Sequence, residues 1–289
     1  MENMLKIAIP NKGRLSEKIY DLLNKAGLNL DSKDERELSV TTSDGKFSVI
    51  FVRTQDIPRF LDAKAADIGF TGLDIVEEEG VEVDVVKQFS FGKCDMVVAV
   101  KEKDSYQTSQ DLPEHFNIAT SFPNIAKRHF EKIGKTVNII EISGAVEITP
   151  SLGLSDVVVD ITSTGTTLKQ NGLRIIDKIL SSSTVLIARK NLSEEKTKKL
   201  DSFLVAINSV LDAREKKYLM AHVPKNNLDK IKEILPGLSS PTLTTLYGDN
   251  ENVVIHVVIN KNEVFESIEK LKTLGGKGIL ILSVDQMVR

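Results

Sequence analysis

The hydrophobic residues follow two alternating patterns along most of the chain. Short apolar runs typical of buried strands include Leu5–Pro10, Lys46–Val52 and Cys94–Val100. Between such runs, apolar residues recur at helical spacing, as they do from Leu15 to Ala26. This alternation predicts an α/β fold with parallel sheets. Because 289 residues exceed the usual size of one core, we expect more than one domain.

The pattern changes near residue 217, where strand, helix, two strands, helix and strand follow one another. That order is ferredoxin-like, and Val264, Ile268, Leu271 and Leu274 form an apolar stripe along its second helix. The strands before it are too many for one ordinary sheet, so we predict two lobes. The predicted division is a first lobe of residues 1–93 and 184–216, a second lobe of residues 94–183, and a C-terminal domain of residues 217–289.

Composition narrows the class of protein. The chain carries 38 basic and 41 acidic side chains, and this balance argues against a nucleic-acid binder. Its single cysteine, Cys94, excludes an intramolecular disulfide and fits a reducing compartment. The N-terminus lacks the apolar core of a signal peptide, and no apolar run approaches the roughly 18 residues that span a bilayer. We therefore expect a cytoplasmic protein without membrane association.

The segment VVVDITSTGTTL, Val157–Leu168, joins a predicted buried strand to a run of small hydroxyl residues. Backbone N–H groups and hydroxyls at such a strand-to-helix turn bind anions, and glycine lets the backbone approach an oxygen closely. The alternative is a plain helix cap, but a cap needs only one hydroxyl. We favour a phosphate site formed by Ser163, Thr164, Gly165, Thr166 and Thr167.

Two acidic residues lie near this loop in sequence. Many nucleotide-salvage phosphoribosyltransferases have two adjacent acids before such a loop, whereas here Ile161 follows Asp160. That fold is therefore disfavoured, while the phosphate site is retained. Glu147 lies 13 residues before Asp160 on a predicted helix. It would hold ribose hydroxyls or help to position a metal, or alternatively lie on a solvated helix face.

The first strand-to-helix turn carries Lys12 and Arg14 around Gly13, at the kind of turn where α/β proteins bind ligands. Two cations there suit a polyphosphate, and Arg53 at the end of a later strand is a third candidate. An ordinary surface turn is the alternative. The four histidines show no metal-ligand spacing, and His129 is expected on the surface.

Several of these segments together resemble ATP phosphoribosyltransferase of the long, histidine-regulated form. The resemblance extends over the whole chain, including LPGLSSPTLTTL, which is similar to the start of that family's regulatory domain. The segments that carry it are IPNKGRL, GFTGLD, IATSFPN, GAVEITP and GLSDVVVDITSTGTTL.

The resemblance implies a two-lobe core like that of type II periplasmic binding proteins, followed by an ACT-like, ferredoxin-like regulatory domain. In that family N1 of the ATP adenine attacks C1 of phosphoribosyl pyrophosphate (PRPP), which releases pyrophosphate in the first step of histidine biosynthesis. Mg²⁺ accompanies the substrates and is held mainly by them, so protein ligands to the metal stay unassigned. Histidine is the feedback inhibitor, and homo-oligomers from dimer to hexamer are expected, with no nucleic-acid or membrane partner.

The resemblance also assigns roles to residues. Asp160 and the loop of residues 163–167 would hold the 5′-phosphate and ribose of PRPP, with Glu147 beside the ribose. Lys12, Gly13 and Arg14, with Arg53, would face pyrophosphate or the ATP phosphates. Catalysis is expected to depend on Asp160, Glu147, Lys12 and Arg14, without an obvious general base. The histidine pocket would include Leu238, Thr242 and Gly278.

Two other classes of protein share parts of this pattern. A two-lobe solute-binding protein with a fused sensor domain is disfavoured because the chain lacks a signal peptide. A catalytically silent amino-acid sensor is disfavoured because the phosphate loop is intact. Release of pyrophosphate only when ATP and PRPP are both present would distinguish the enzyme from both.

Overall fold

The computed structural model describes residues 3–28, 30, 38–42, 44–235 and 241–288. The chain divides into two compact units, one formed by Met1–Ile19 with Asp31–Thr197 and the other by Tyr20–Leu30 with Lys198–Arg289. Over the described residues, no helix is both long enough and apolar enough to cross a membrane.

The secondary structure follows the predicted alternation, with the addition of a short edge strand, β2. The strands are β1 (Leu5–Pro10), β2 (Ser39–Thr41), β3 (Phe47–Val52), β4 (Ile68–Gly72), β5 (Val83–Gln88), β6 (Cys94–Lys101), β7 (His115–Thr120), β8 (Thr136–Glu141), β9 (Val157–Thr162), β10 (Leu173–Ser182), β11 (Thr184–Arg189), β12 (Lys216–Pro224), β13 (Thr242–Leu246), β14 (Asp249–Asn260) and β15 (Lys277–Ser283). The helices are α1 (Arg14–Lys25), α2 (Ile57–Asp62), α3 (Leu73–Glu79), α4 (Pro123–Lys132), α5 (Thr166–Gln170), α6 (Glu194–Ala213), α7 (Leu228–Ile234) and α8 (Val264–Thr273).

The first sheet, within the described ranges, has six strands in the order β2-β3-β1-β4-β11-β5. Strands β1, β3 and β4 are parallel, whereas β11 is antiparallel to both of its neighbours. Nearly every side chain of β1 is buried, as expected of a parallel strand that is covered on both faces. The carboxyl ends of β1, β3 and β4 therefore meet at one edge. We call this sheet, with α2 and α3, the first lobe.

The second sheet, counted in the same way, has five strands in the order β10-β6-β9-β7-β8. Strand β7 is parallel to β8 and β9, while β6 is antiparallel to β9 and β10. We call this sheet, with α4 and α5, the second lobe. The chain enters it between β5 and β6 and returns between β10 and β11. These two crossings are hydrogen-bonded, since the Phe89 N–H donates to the Thr184 carbonyl (2.9 Å) and the Thr184 N–H to that of Phe91 (3.1 Å).

The C-terminal sheet is antiparallel throughout, in the order β13-β14-β12-β15. Leu219 and Ile255 of its central strands are fully buried, together with Ile231 of α7 and Leu271 of α8. Both helices thus cover one face of the sheet, as in a ferredoxin-like domain. The predicted fold class, a two-lobe α/β core followed by a ferredoxin-like domain, is confirmed.

A buried carboxylate ties together distant segments of the first lobe. Asp67 accepts hydrogen bonds from the Lys6 N–H (3.0 Å), Arg189 Nε (3.0 Å) and Lys196 Nζ (2.7 Å). Burial alone would raise the pKa of Asp67, but the bonds from Lys196, Lys6 and Arg189 outweigh it and lower that pKa. This stabilisation is present above the ordinary aspartate pKa and is lost as the pH falls through the lowered value.

The segment AVEITPSLGL does not form the predicted helix. It contains one 3₁₀ turn, Val146–Ile148, preceded by Ala145 in the left-handed conformation (φ 52°). The Thr149 hydroxyl donates to the Val146 carbonyl (2.8 Å) and is also bonded to the Ser155 hydroxyl (2.7 Å). Side-chain bonds of this kind compete with helix continuation, so the predicted helix is wrong here.

His129 is not the surface residue that the sequence predicted. It is half-buried in α4, its ring lies edge-on to that of Phe130, and its buried Nε2 has no hydrogen-bond partner among the described residues. Burial lowers the pKa of His129, so its ring is neutral at pH 7.

Candidate active site

The hydroxyl run forms a tight loop at the carboxyl end of β9. Val157, Val158 and Val159 are fully buried, which fixes the strand below the loop. The Thr162 hydroxyl accepts the Gly165 N–H (2.8 Å), and Gly165 has a left-handed backbone (φ 74°) just before α5. One hydroxyl therefore closes the turn.

The remaining hydroxyls of the loop face outward. Ser163, Thr164, Thr166 and Thr167 are exposed, and the hydroxyls of Thr164 and Thr166 are 2.9 Å apart. One hydroxyl of this pair donates its hydrogen to the other, and the second hydroxyl keeps its own hydrogen free to donate to an anion. The loop thus offers more hydrogen-bonding groups than its own turn uses.

Asp160 lies in β9, partly buried beneath this loop, and accepts the N–H of the next residue, Ile161 (2.8 Å). Burial raises the pKa of Asp160 to about 6, the Ile161 N–H opposes that rise, and the negative charge of Glu147 adds to it. The two carboxylates are therefore close enough to repel each other. Cations and ribose hydroxyls are ligands that would relieve this repulsion.

The core beneath the loop explains why Glu147 and Asp160 come together. Val146, next to Glu147, and Leu168, at the end of the loop, are buried in one cluster with Val158 of β9. The 3₁₀ turn and the loop are thus anchored over the same strand. The structure brings Glu147, Asp160 and the loop into one place in the second lobe.

The cationic residues lie at the corresponding edge of the first lobe. Strands β1 and β3 are paired in parallel, and Pro10 lies opposite Val52, so the exposed Lys12 and Arg53 follow adjacent strand ends. Gly13 has φ 89°, a conformation that favours glycine at this turn. Arg14 is the first residue of α1, and its side chain lies outside the described part of the structure.

A cavity of about 450 Å³ opens at the crossings. No motif or spacing in the sequence indicated it. The Ser163 hydroxyl reaches the carbonyl of Lys93 (3.4 Å), so the hydroxyl loop borders the cavity. Burial raises the pKa of the Cys94 thiol to about 11, which keeps it protonated and excludes it as a nucleophile. The cavity is lined by Gln88, Phe89, Ser90, Lys93, Cys94, Asp95 and Ser181–Ser183.

The candidate inhibitor residues lie apart within one chain. Thr242 begins the edge strand β13, while Gly278 lies in β15 at the opposite edge, beside the ring of His222. Two strands separate them, a distance of about 14 Å at the usual strand spacing. The third candidate, Leu238, lies outside the described residues.

Comparison with known proteins gives consistent results along the chain. A family model described as ATP phosphoribosyltransferase matches residues 53–209, and one described as HisG, C-terminal domain, matches residues 213–286. The ATP phosphoribosyltransferases of Methanocaldococcus jannaschii and Gemmatimonas aurantiaca are each 42% identical to this chain; each alignment covers 99% of it and all of the relative.

A solved structure is similar over most of this chain. The ATP phosphoribosyl transferase (HisG:HisZ) complex from Thermotoga maritima contains a chain that is 35% identical, with a TM-score of 0.65 over 72% of this chain and 99% of that one. The full-length relatives, the similar solved structure and the loop with its two carboxylates all point to the same family. The protein therefore belongs to the ATP phosphoribosyltransferase family, the pentosyltransferases of histidine biosynthesis.

Proposed function

We propose that this protein joins ATP and PRPP into N1-(5-phosphoribosyl)-ATP and pyrophosphate and is inhibited by histidine through its C-terminal domain. The observation that carries the proposal is the hydroxyl loop over Asp160 and Glu147, in a chain matched along its length by this family. The proposed division of labour follows the lobes, with residues 1–93 and 184–216 in the first, 94–183 in the second and 217–289 regulatory.

PRPP binds the second lobe in this proposal. Its 5′-phosphate accepts hydrogen bonds from the hydroxyls of Ser163, Thr164, Thr166 and Thr167 and from backbone N–H groups around Gly165. Asp160 and Glu147 face the ribose. Their mutual repulsion makes a nearby positive charge favourable, and positive charge develops on the ribosyl carbon as pyrophosphate leaves.

The first lobe supplies countercharge. Lys12 and Arg53, at adjacent strand ends, and Arg14 at the start of α1 face the leaving pyrophosphate and the ATP phosphates. The lone pair of adenine N1 forms the bond to C1, and the C1–O bond breaks with its electrons leaving on pyrophosphate. Adenine N1 carries no proton, so no general base is required and the residues act by orientation and electrostatics.

Mg²⁺ is the proposed cofactor, brought by the substrates. No cluster of three potential ligands occurs among the described histidine, cysteine, aspartate and glutamate residues. Mg²⁺ commonly binds through one or two carboxylates together with substrate phosphates, and the Asp160–Glu147 pair fits that role. Bound there, the ion would neutralise charge on the pyrophosphate.

Histidine regulation is proposed to involve more than one copy of the chain. Because Thr242 and Gly278 lie on opposite edge strands, a pocket that uses both would take one edge from each of two neighbouring chains. This supports the expected homo-oligomer, either dimer or hexamer. As a histidine-biosynthetic enzyme, the protein is proposed to work in the cytoplasm.

The reaction predicts that pyrophosphate appears only when ATP, PRPP and Mg²⁺ are all present. One molecule of phosphoribosyl-ATP should form for each pyrophosphate released. The measurement is a coupled pyrophosphate assay with chromatography of the nucleotide product. Reactions lacking one substrate control for hydrolysis. Tight binding of ligands without any pyrophosphate release would instead support a binding protein.

The inhibitor site predicts that Gly278→Ala raises the histidine concentration for half-inhibition at least about tenfold, because an alanine at φ 55° is strained and the backbone would shift beside His222. The added Cβ would itself make only an ordinary contact with the His222 ring, at 3.7 Å. Activity without histidine should be unchanged. The matched control is Gly248→Ala, at φ 78° in open space in the same domain. Equal loss of inhibition in both variants, or in neither, would contradict the assignment of Gly278.

A further inference from the structure

Helix α3 belongs to the first lobe by sequence but is attached to the second along its whole length. In its first turn, the Asp74 N–H donates to the Ser182 hydroxyl (2.9 Å) at the end of β10. Ile75 packs against the apolar core of the second lobe. Glu78, in the last turn, is buried. Because glutamate is rarely buried without partners, its carboxylate must be hydrogen-bonded. These contacts make α3 a connection between the lobes.

The partners of Glu78 are the first free N–H groups of α4. One carboxylate oxygen accepts the Asn124 N–H and the other accepts the Ile125 N–H, each at 2.9 Å. The Asn124 side chain donates in return to the Glu78 carbonyl (3.0 Å). We call Glu78, Asn124 and Ile125 the interlobe clasp.

The clasp replaces a helix cap that α4 lacks. The residue before the helix is Phe122, whose side chain has no hydrogen-bond acceptor, and Pro123 begins the first turn. A carboxylate satisfies the exposed N–H groups and interacts favourably with the positive end of the helix. Since Glu78 occupies that end of α4, a substrate phosphate does not bind there.

The clasp acts close to the reacting groups. Helix α4 follows β7, which pairs in parallel with β9, and Thr120 lies opposite Val159, one residue before Asp160. Helix α3 follows β4, at the edge of the first lobe that also carries the turns of Lys12 and Arg53. The clasp therefore joins the edge that carries the phosphate loop to the edge that carries the cations.

We propose that Glu78 is a positioning residue, whose clasp holds the two lobes at the separation needed for adenine N1 to reach C1 of PRPP. The inference rests on the proposed function, which places PRPP on the second lobe and the ATP phosphates on the first. Each substrate binds its own lobe without the clasp, but bond formation needs both lobes in register. A misplacement of about 1 Å lowers the rate on the order of 100-fold.

The test compares Glu78→Ala, Glu78→Gln and Glu79→Gln in the full-length protein. Glu79, the next residue of α3, pairs with Arg59 inside the first lobe, so it is a charge-matched control that leaves the clasp intact. Three quantities are measured for each variant: the hydrogen-exchange rate of the Asn124 and Ile125 amides, the dissociation constant of PRPP alone, and kcat with saturating substrates.

For Glu78→Ala we expect the Asn124 and Ile125 amides to exchange at least about tenfold faster and kcat to fall at least about tenfold. The dissociation constant of PRPP should stay within about twofold of wild type. The exchange rates and kcat of Glu78→Gln should lie between those of wild type and Glu78→Ala. Its amide oxygen accepts one of the two N–H bonds, while its NH₂ group, a donor, faces the other. Glu79→Gln should match wild type in all three measurements.

Two outcomes would overturn the inference. If the Asn124 and Ile125 amides exchange faster while kcat stays within about twofold of wild type, the clasp does not position the lobes. A PRPP dissociation constant that rises as much as kcat falls would mean that Glu78 supports the second lobe or touches substrate. Failure of the proposed function is distinguishable, because wild-type protein would then form no product while its amide protection still depended on Glu78.

Discussion

Gly165→Val is expected to raise the KM for PRPP on the order of 100-fold. A Cβ at this position would lie 3.7 Å from Ile175 Cδ1, an ordinary contact, so the effect does not come from crowding. It comes from φ 74°, where a β-branched residue is strongly disfavoured. The loop would rebuild, the Gly165 N–H bond to Thr162 would break, and the hydroxyls that are proposed to hold the 5′-phosphate would move apart.

Gly134→Val is the matched control for this variant. Gly134 lies in the same lobe, after α4, with φ 73° and open space around its Cβ position. It should lose a similar amount of stability while keeping the wild-type KM for PRPP. Steady-state kinetics and thermal unfolding of both variants check this. A similar rise in KM in the two variants would show a general weakening of the lobe instead of a phosphate site at Gly165.

Asp160→Asn is expected to lower activity on the order of 100- to 1000-fold and at the same time to stabilise the protein at neutral pH. The pKa of Asp160 in the folded protein, about 6, lies above the ordinary value of 3.8. Between these values the folded state holds a proton that the unfolded state releases, so stability is lost as the pH rises. An asparagine, which does not ionise, avoids this loss.

The gain in the free energy of unfolding should be about 1–2 kcal/mol at pH 7.5 and should vanish near pH 4. It is less than the full pKa shift of Asp160 implies, because that carboxylate is partly solvated. Urea unfolding at both pH values measures it. Asp156→Asn, at the exposed residue just before the same strand, serves as the control. Its carboxylate accepts the Asn117 N–H (2.9 Å), a bond that an asparagine oxygen can also accept, so this variant should show neither effect. If Asp160→Asn were less stable at every pH, acceptance of the Ile161 N–H would outweigh the electrostatic penalty.

Much of the fold could be predicted because it is encoded locally. The apolar run of β9 and the hydroxyls after it appear in the structure as a buried strand and an exposed loop. The ferredoxin-like order of the C-terminal strands was equally readable. Prediction failed for Val146–Ile148, where the alternating series of strands and helices predicted a helix but the Thr149 and Ser155 hydroxyls hold a turn.

The arrangement of the candidate site could be predicted only in part, for a related reason. Residue type and strand-end position indicated the loop, Asp160, Lys12 and Arg53. The raised pKa of Asp160 depends on its burial and on Glu147, and neither is visible in a linear pattern. Glu78 reads as one of three consecutive acids on a helix, and its role depends on α4, which lies in another lobe.

Strand β11 also determines the order in which the chain can be assembled. It lies between β4 and β5 in the first sheet, yet it follows the entire second lobe in sequence. Among the described strands, β5 pairs only with β11, so during synthesis it waits unpaired until β11 has emerged. The second lobe is one continuous segment that can fold as soon as it is complete. Likewise, the Asp67 carboxylate cannot form its bonds with Arg189 and Lys196 until those residues have been synthesised. The first lobe is therefore completed only after the second, and β5 stays an open edge for pairing with other chains until then.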